Sequence, residues 1–454
     1  MGGGCAIPCH RFGDQCLTTA DVAGRRGFTP GQGGNLGVVA LLSRLATASA
    51  AAWAYLLVGH GRFWSTSSRL PANPHEPSRW PRVGVVVPAR DEAALLPETL
   101  PTLLAQDYPG ELVLWLVDDA SSDGTAQVAR TLADRAGTPL TVLAALPPPP
   151  GWTGKLNALR CGVDAAGRAA VEFLLLTDAD VAHHPGSLRR LVAAALAEER
   201  DLVSLMALLR VRSAWERALV PAFVYFFAQL YPFPRVARPG NRTAAAAGGC
   251  VLIRRAALDR VGGLDRIRGE LIDDVALARL LKDSGARAWL GFTGRPPEVR
   301  SLRPYRGLAD LWAMITRSAY VQLRRSPVLL VATLAGLGLL YAVPPVAAAV
   351  GLARRSPALA APGLGAWVAM ALTQAPVLRL YGLCPLRGLA LPAVAALYAA
   401  MTLDSAYHHA TGRGGTWKGR PAGHDRRARS FPASDGPGDG EYAARACRGT
   451  TSTR

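Results

Sequence analysis

Lysine is almost missing from this chain of 454 residues: Lys155, Lys282 and Lys418 are the only three, although Lys and Arg together number 51 against 33 acids, for a net charge of +18. The positive charge is therefore nearly all arginine. It is spread along the chain rather than gathered with aromatics on one element, which argues against a nucleic-acid-binding surface and fits a cytoplasmic face held against anionic lipid. Cysteine motifs are missing as well. The seven cysteines (Cys5, Cys9, Cys16, Cys161, Cys250, Cys384 and Cys447) form no C-x-x-C pair and no zinc spacing. Their odd number argues against a closed disulfide framework, so a reduced cytoplasmic compartment is the default. No G-x-G-x-x-G follows the first strand-like run, which makes a classical dinucleotide fold a poor fit. The Gly-Lys of GWTGKLNAL (151–159) lacks the spacing of a phosphate-binding P-loop. The first 35 residues have neither the basic head nor the cleavage site of a secretory signal. No internal repeat is evident.

Long apolar runs, in contrast, are plentiful. Residues 36–59 carry one charge, Arg44; residues 328–353 and 357–378 carry none, and a shorter run covers 388–403. Eighteen or more apolar residues suffice to cross a hydrocarbon core of ~30 Å. The chain is thus expected to divide into an unstructured extension (1–35), a transmembrane helix (36–59), a globular domain (60–327), C-terminal transmembrane helices (328–405) and an unstructured basic tail (406–454). Four crossings would put the Arg-rich tail on the side opposite the globular domain, against the positive-inside tendency. Two ways out are open: 388–403 does not cross, or 328–353 is broken at Pro344-Pro345 into a re-entrant hairpin.

Between the first and second runs, short apolar stretches alternate with helical ones. VGVVVPA (83–89), LVLWLVDDAS (112–121), LTVLAAL (140–146) and VEFLLLTDAD (171–180) are each followed by a helical pattern, at 92–106, 123–136, 154–167 and 185–199. The runs are apolar on both alternations, as parallel strands covered on both faces require, so an α/β, Rossmann-like, mostly parallel sheet is expected. In such sheets a ligand binds beyond the carboxyl ends of the strands. The polar residues collect there: Arg90-Asp91-Glu92, Asp118-Asp119 and Asp178-Ala179-Asp180. Asp178 and Asp180, at i and i+2 of an extended chain, would face one side. Two carboxylates with the oxygens of a nucleotide diphosphate make a hard-cation shell suited to Mg²⁺ or Mn²⁺.

VVVPARDE (85–92), LVDDASSDGT (116–125) and LLLTDAD (174–180), in this order, resemble the family 2 membrane glycosyltransferases of GT-A fold. GGCVLIRRAALDRVGGLD (248–265) and ELIDDVALARLLKDSGA (270–286) look like that family's acceptor-side and general-base segments. More narrowly, the layout over 37–405 resembles the glycosyltransferases associated with hopanoid biosynthesis and is similar to the ceramide glucosyltransferases. The resemblance implies that Asp91 and Asp119 line a nucleotide pocket, with Asp119 on the uracil or ribose. It implies that Asp178 and Asp180 hold the donor diphosphate, with Asp180 nearest the metal, and that Asp274, beside Asp273, is the general base. LDRVGG (258–263) would form the turn leading to it.

The chemistry asks for such a base independently. Inverting transfer to an alcohol needs a carboxylate that takes the hydroxyl proton, on the face opposite the leaving diphosphate and hence from another segment. Asp273 and Asp274 would also suit the start of a helix, where acids are favoured in any case. The family's Q-x-x-R-W corresponds here to MITRS (314–318), in which only Arg317 matches. Arg317 is a candidate diphosphate clamp, and the missing Gln and Trp favour transfer of one sugar over polymer synthesis. Lys155 is a candidate phosphate contact or simply a helix-start residue. Residues 213–236, with Trp215, Leu219, Phe223, Phe226 and Leu230 at helical spacing, suit either an interfacial lipid-admitting helix or core packing. His183 and His184 read as loop residues.

The expected partners are a nucleotide sugar (a UDP-sugar), a lipid acceptor and the membrane, with no nucleic acid. The expected location is the inner (cytoplasmic) membrane, multi-pass, with the catalytic domain in the cytoplasm. A polyprenyl-phosphate sugar transferase is the nearest alternative and an inactive membrane scaffold a more distant one.

Overall fold

The computed structural model describes residues 32–72, 74–414, 416–417, 420–421 and 447–450. Residues 1–31 of the extension expected to be unstructured over 1–35, and most of the basic tail, lie outside them, whereas residues 32–35 belong to a helix. The described residues from 42 onward form one compact body, and residues 32–41 are the start of helix α1 (Gln32–Val58).

The first four expected strands are present: β1 (Val83–Ala89), β2 (Leu112–Asp118), β3 (Leu140–Ala145) and β4 (Phe173–Leu176). Helices α2 (Leu96–Leu104), α3 (Thr125–Ala136), α4 (Gly154–Arg168) and α5 (Ser187–Ala197) follow them in turn. All seven residues of β1 are buried, and they divide with period two. Val85 and Val87 join a core with α2 and α5, whereas Val86 joins the opposite core with α4. Helix α4 lies so close to the sheet that a Cβ on Gly162 would stand 2.3 Å from Val86 Cγ1, which only glycine permits.

The rest of the chain body adds β5 (Val181–His183), β6 (Leu202–Met206), α6 (Ala214–Leu230), α7 (Phe233–Val236), β7 (Val251–Arg254), α8 (Arg255–Arg260), α9 (Asp273–Asp283), β8 (Ala288–Phe292), β9 (Val299–Ser301), α10 (Leu308–Thr316) and α11 (Ala319–Gln322). The main sheet runs β3-β2-β1-β4-β7-β6-β8, parallel throughout except for the reversed β7. The expected class, a mostly parallel α/β sheet flanked by apolar helices, is the one observed. Strands β5 and β9 form a separate antiparallel pair. His183 is thus not a loop residue but a buried member of β5, because its ring finds partners inside, Thr177 Oγ1 at 2.9 Å and Ser187 Oγ at 3.4 Å.

Among the described residues, four helical stretches are long and apolar enough to cross a membrane: Gly37–Val58, Pro327–Ala353, Pro357–Leu380 and Pro385–Ala410. The second comprises α12 (Pro327–Leu337), a π-turn (Gly338–Ala342) and α13 (Val343–Ala353). It is one helix rather than a hairpin. Pro344 cannot donate to the carbonyl of Leu340, and the indole of Trp53 donates to that oxygen instead, at 2.8 Å. After α14 (Pro357–Leu380), a 3₁₀ turn (Pro385–Ala390) doubles back along it, with Trp367 Nε1 donating to Leu389 O at 3.1 Å. Helix α15 (Leu391–Ala410) then returns to the sheet body, where Asp404 accepts from Trp312 of α10 at 2.7 Å. It runs five residues past the expected limit at 405.

Two short strands, β10 (Thr416–Trp417) and β11 (Arg420–Pro421), pair with each other, and β12 (Cys447–Thr450) pairs antiparallel with β3 at the edge of the main sheet. Strand β12 therefore sits on the sheet's side of any membrane that the helices cross, so an even number of crossings separates the two. Cys161 is disulfide-bonded; an odd cysteine count excludes complete pairing, not a single bridge.

Helix α6 joins the sheet body to the apolar helices. Ser213 and Glu216 form a reciprocal capping box at its start. Tyr225 Oη meets Thr373 Oγ1 of α14 at 2.8 Å, and Tyr398 of α15 donates to Leu219 O at 2.9 Å. Leu219 and Tyr225 are fully buried, whereas Trp215 and Leu230 at the helix ends are exposed. The aromatic stripe is mainly packing between helices.

Candidate active site

Lys155 and two carboxylates from distant segments meet beyond the carboxyl end of β4. Thr153 caps α4, its hydroxyl accepting from Leu156 N at 3.3 Å, and this places Lys155 in the helix's first turn. Lys155 Nζ lies 3.0 Å from Asp178 Oδ1 and 3.2 Å from Asp273 Oδ2. Asp273 and Asp274 occupy the first turn of α9, the helix start at which acids are favoured. Asp274 accepts from its neighbour Val275 N through Oδ1 and from Gly248 N through Oδ2, both at 2.8 Å. A Cβ on Gly248 would stand 3.4 Å from both Asp274 Oδ2 and Lys155 Nζ, in ordinary contact, so the residue lies directly against the cluster.

One cation faces three carboxylates here, and the charge states follow. Burial, then the charge of Asp273, push Asp274 up to about 6, against the downward pull of Lys155. Burial likewise raises Asp178, with Lys155 opposing and Asp180 and Asp273 assisting. For Lys155 burial alone would lower the value, but Asp178, Asp273 and Asp274 outweigh it and hold the ammonium charged.

Asp180 belongs to a second cluster. It sits with Asp178 in the turn between β4 and β5 rather than in extended chain, since Val181 N closes back on Asp178 O at 3.1 Å. The two acids consequently have separate partners. Asp180 Oδ2 accepts from Ser301 Oγ at 2.7 Å and lies 3.3 Å from Arg303 Nε, while the other arm of Arg303 reaches Glu92 Oε1 at 2.5 Å. Burial lowers the Arg303 value, but Asp180 and Glu92 together raise it above the ordinary range for arginine.

Among the described residues no group of three His, Cys, Asp or Glu side chains forms a metal cage. The pair nevertheless fits a hard cation that draws further ligands from substrate. The contacts of Asp178 and Asp180 engage one oxygen each, Oδ1 and Oδ2 respectively, which leaves the second oxygen of each carboxylate for a metal.

The loops after β1 and β2 are joined to each other. Asp91, at φ 49°, donates its N–H to Ser121 Oγ at 2.9 Å and accepts from Ser122 N at 2.8 Å. Asp119 is buried, with Arg90 3.4 Å from its Oδ2 and donating to its carbonyl at 2.7 Å. Arg317 is not in contact with these acids. It lies exposed just after α10, close enough for its charge to act on Tyr305, whose phenol also feels Asp180.

The structure therefore gathers Lys155, Asp178, Asp273 and Asp274 in one cluster, sets Asp180 beside it and leaves Arg317 apart. Reading the sequence missed Arg303, Ser301 and Gly248. Glu92 stands in VVVPARDE and Gly248 in GGCVLIRR, but nothing near 301–303 marks Ser301 or Arg303.

The family described as glycosyltransferase-like family 2 matches residues 81–309, half of the chain. The chain belongs to this family. The match begins two residues before β1 and ends in the first turn of α10, so this glycosyltransferase-like region takes in all of β1–β9 and leaves the candidate spans outside. An N-acetylglucosaminyltransferase of Mesorhizobium japonicum is 28% identical over 133 residues, which cover 28% of this chain and 30% of that protein. The chain thus matches under a third of the length of this curated relative. Among solved structures, a mannosyltransferase of Pyrobaculum calidifontis in complex with GDP-mannose and Mn²⁺ is similar at 22% identity and a TM-score of 0.48, over 82% of this chain and 98% of that one. The glucosyl-3-phosphoglycerate synthase of Mycobacterium tuberculosis in complex with phosphoglyceric acid is similar at 20% identity and a TM-score of 0.35, over 57% and 86%.

Proposed function

We propose that this chain is a membrane-bound inverting glycosyltransferase that moves a single sugar from a nucleotide sugar, a UDP-sugar, to the hydroxyl of a hopanoid- or sphingolipid-like lipid. The observation that carries the reading is the cluster of Lys155, Asp178, Asp273 and Asp274, in which acids from two segments 95 residues apart (178 to 273) share one lysine. Asp274 takes the proton of the acceptor hydroxyl as its oxygen attacks the anomeric carbon. The bond from that carbon to the diphosphate oxygen breaks, and its electron pair leaves with the nucleotide diphosphate. With a value near 6, Asp274 is basic enough to accept that proton and mostly ionised at neutral pH.

Asp178 and Asp180, through their second oxygens, would hold Mg²⁺ or Mn²⁺ with the donor. The ion supplies positive charge for the departing diphosphate. Lys155 keeps its charge at the same place and holds Asp178 and Asp273 in register. Asp91 and Asp119 line the nucleoside side, and Arg317 clamps the diphosphate. Nucleotide sugars are made in the cytoplasm, so the catalytic body lies at the cytoplasmic face of the inner membrane. Helices α1, α12–α13 and α14 cross, and α15 returns without crossing.

The test is donor hydrolysis by the full chain in detergent over a panel of nucleotide sugars with Mg²⁺ or Mn²⁺, comparing the unaltered protein with Asp180→Asn. The expected result is slow, metal-dependent release of nucleotide diphosphate from one donor, abolished by the substitution. Turnover indifferent to metal and to Asp180 overturns the metal role, and no nucleotide binding at all overturns the transferase reading. With an anionic polyprenyl phosphate as acceptor, loss of Asp274 would matter far less than with an alcohol.

A further inference from the structure

Helices α10 and α11 are two halves of one interrupted helix. The carbonyl of Thr316 and the N–H of Tyr320 are four residues apart and would bond to each other in continuous α-helix. They do not. The fully buried hydroxyl of Ser405, from α15, stands between them, donating to Thr316 O and accepting from Tyr320 N at 3.0 Å. A side chain inserted into the backbone ladder is an established cause of a sharp helix break. Helical bonding continues on either side, from Arg317 N to Ala313 O at 3.2 Å and from Gln322 N to Ser318 O at 2.9 Å.

The same turn of α15 grips both halves. Asp404 accepts from Trp312 Nε1 in α10 at 2.7 Å. His409 packs edge-on against Tyr320 in α11, with ring centroids 5.7 Å apart. Arg317 falls inside the break, at the last helical position before the chain turns. A serine at position 405 is an ordinary residue on an apolar helix, yet its hydroxyl makes two backbone bonds to a segment 85 to 89 residues away.

We propose that Ser405 is a positioning residue whose hydroxyl holds the α10–α11 break open and so presets Arg317 for the donor diphosphate. The proposal rests on the reading of Arg317 as a diphosphate clamp. Without the wedge, Thr316 and Tyr320 are free to bond to each other, and the closed helix carries Arg317 to a different azimuth. Helix α15 thereby ties the state of the apolar helices to the donor site.

The experiment is a binding titration of UDP, and separately GDP, with Mg²⁺ on the full chain in detergent, for Ser405→Ala, Ser405→Thr, Arg317→Ala and the Ser405→Ala/Arg317→Ala pair. Ser405→Ala is expected to weaken nucleotide binding roughly tenfold, on the order of one charge-assisted hydrogen bond. Ser405→Thr, which keeps the hydroxyl, restores it, and the double variant binds no worse than Arg317→Ala alone. A merely structural serine would lower affinity equally in both backgrounds, and that additive result overturns the proposal. Affinity unchanged in Ser405→Ala overturns it too. Where the alanine variant fails to fold, Ser405→Cys keeps the volume with a weaker donor. A smaller loss that disappears in the Arg317→Ala background then supports the proposal, and one that persists there overturns it. Nucleotide bound equally well by Arg317→Ala removes the clamp and the proposal with it, while leaving the transferase reading in place; no binding of either nucleotide by the unaltered protein overturns both.

Discussion

Two clusters of charge stand side by side at the carboxyl ends of the strands, and they are built on different logic. In one, Lys155 faces three carboxylates, Asp178, Asp273 and Asp274. Burial first, and then negative charge beyond what one ammonium can offset, make a proton easier to retain, and Asp274 rises to about 6. In the other, Arg303 faces two carboxylates, Glu92 and Asp180, and Ser301 adds a neutral donor. A lysine is a compact point charge on a flexible stem, suited to a cluster whose charge changes during a reaction. An arginine fork spreads its charge over fixed directions and suits a cluster that must keep its shape. On the proposed reading, the contrast separates a place for proton transfer from a place for holding.

The largest effect that would break this contrast is expected from Asp274→Asn. It should lower kcat by roughly 10²–10⁴, the range for loss of a general base, while nucleotide affinity changes little. An equal loss of nucleotide affinity would mean that the lysine cluster binds rather than transfers protons. Next comes Lys155→Met, which leaves three acids without their cation and should cost roughly 10² in kcat/KM. It should also move the acid limb of the pH profile upward, because Lys155 holds Asp274 down.

In the unaltered enzyme kcat/KM should rise as pH rises through about 6, where Asp274 loses its proton. Stability carries the opposite sign. The folded state holds this proton more tightly than the unfolded chain, so the contribution of Asp274 is most favourable at low pH and is lost as pH rises from its ordinary 3.8 through about 6. Thermal unfolding scanned across that window would reveal it, and a stability flat between pH 4 and 7 would mean that folding does not raise the Asp274 carboxyl.

Smaller shifts test the arginine cluster. Arg303→Gln removes a competitor for Asp180, so Mn²⁺ should bind roughly three-fold more tightly, a modest gain because the pair is partly exposed. Weaker Mn²⁺ binding would instead make Arg303 a support for the metal site. Ser301→Ala should cost about 1 kcal/mol of stability, the net worth of one hydrogen bond, with the pH profile unmoved. A shifted profile would couple the two clusters that the geometry keeps apart.

Much of the molecule is legible in its sequence, and the reasons are local. The strands β1–β4 follow from apolar runs on both alternations, the helices after them from 3.6-residue spacing, and the four apolar helices from length and composition. Asp178, Asp180, Asp273 and Asp274 stand in short motifs whose residue types carry their chemistry wherever the chain goes. Other features are not legible there. Nothing in 251–254 says that β7 runs against its neighbours, because strand direction depends on the path of the connecting chain. Pro344 predicts a break, and Trp53, 291 residues earlier, decides that there is none by taking up the freed carbonyl.

The sequence by itself determined the α/β alternation, the apolar helices and the acids at the strand ends, because each depends on interactions among near neighbours. Only the tertiary structure decided that Asp178 answers to Lys155 and Asp180 to Arg303. It alone placed β12 on the sheet edge and Ser405 inside the break beside Arg317. Partners far apart in the chain meet through the packing of whole elements, and local composition carries no record of which element will arrive.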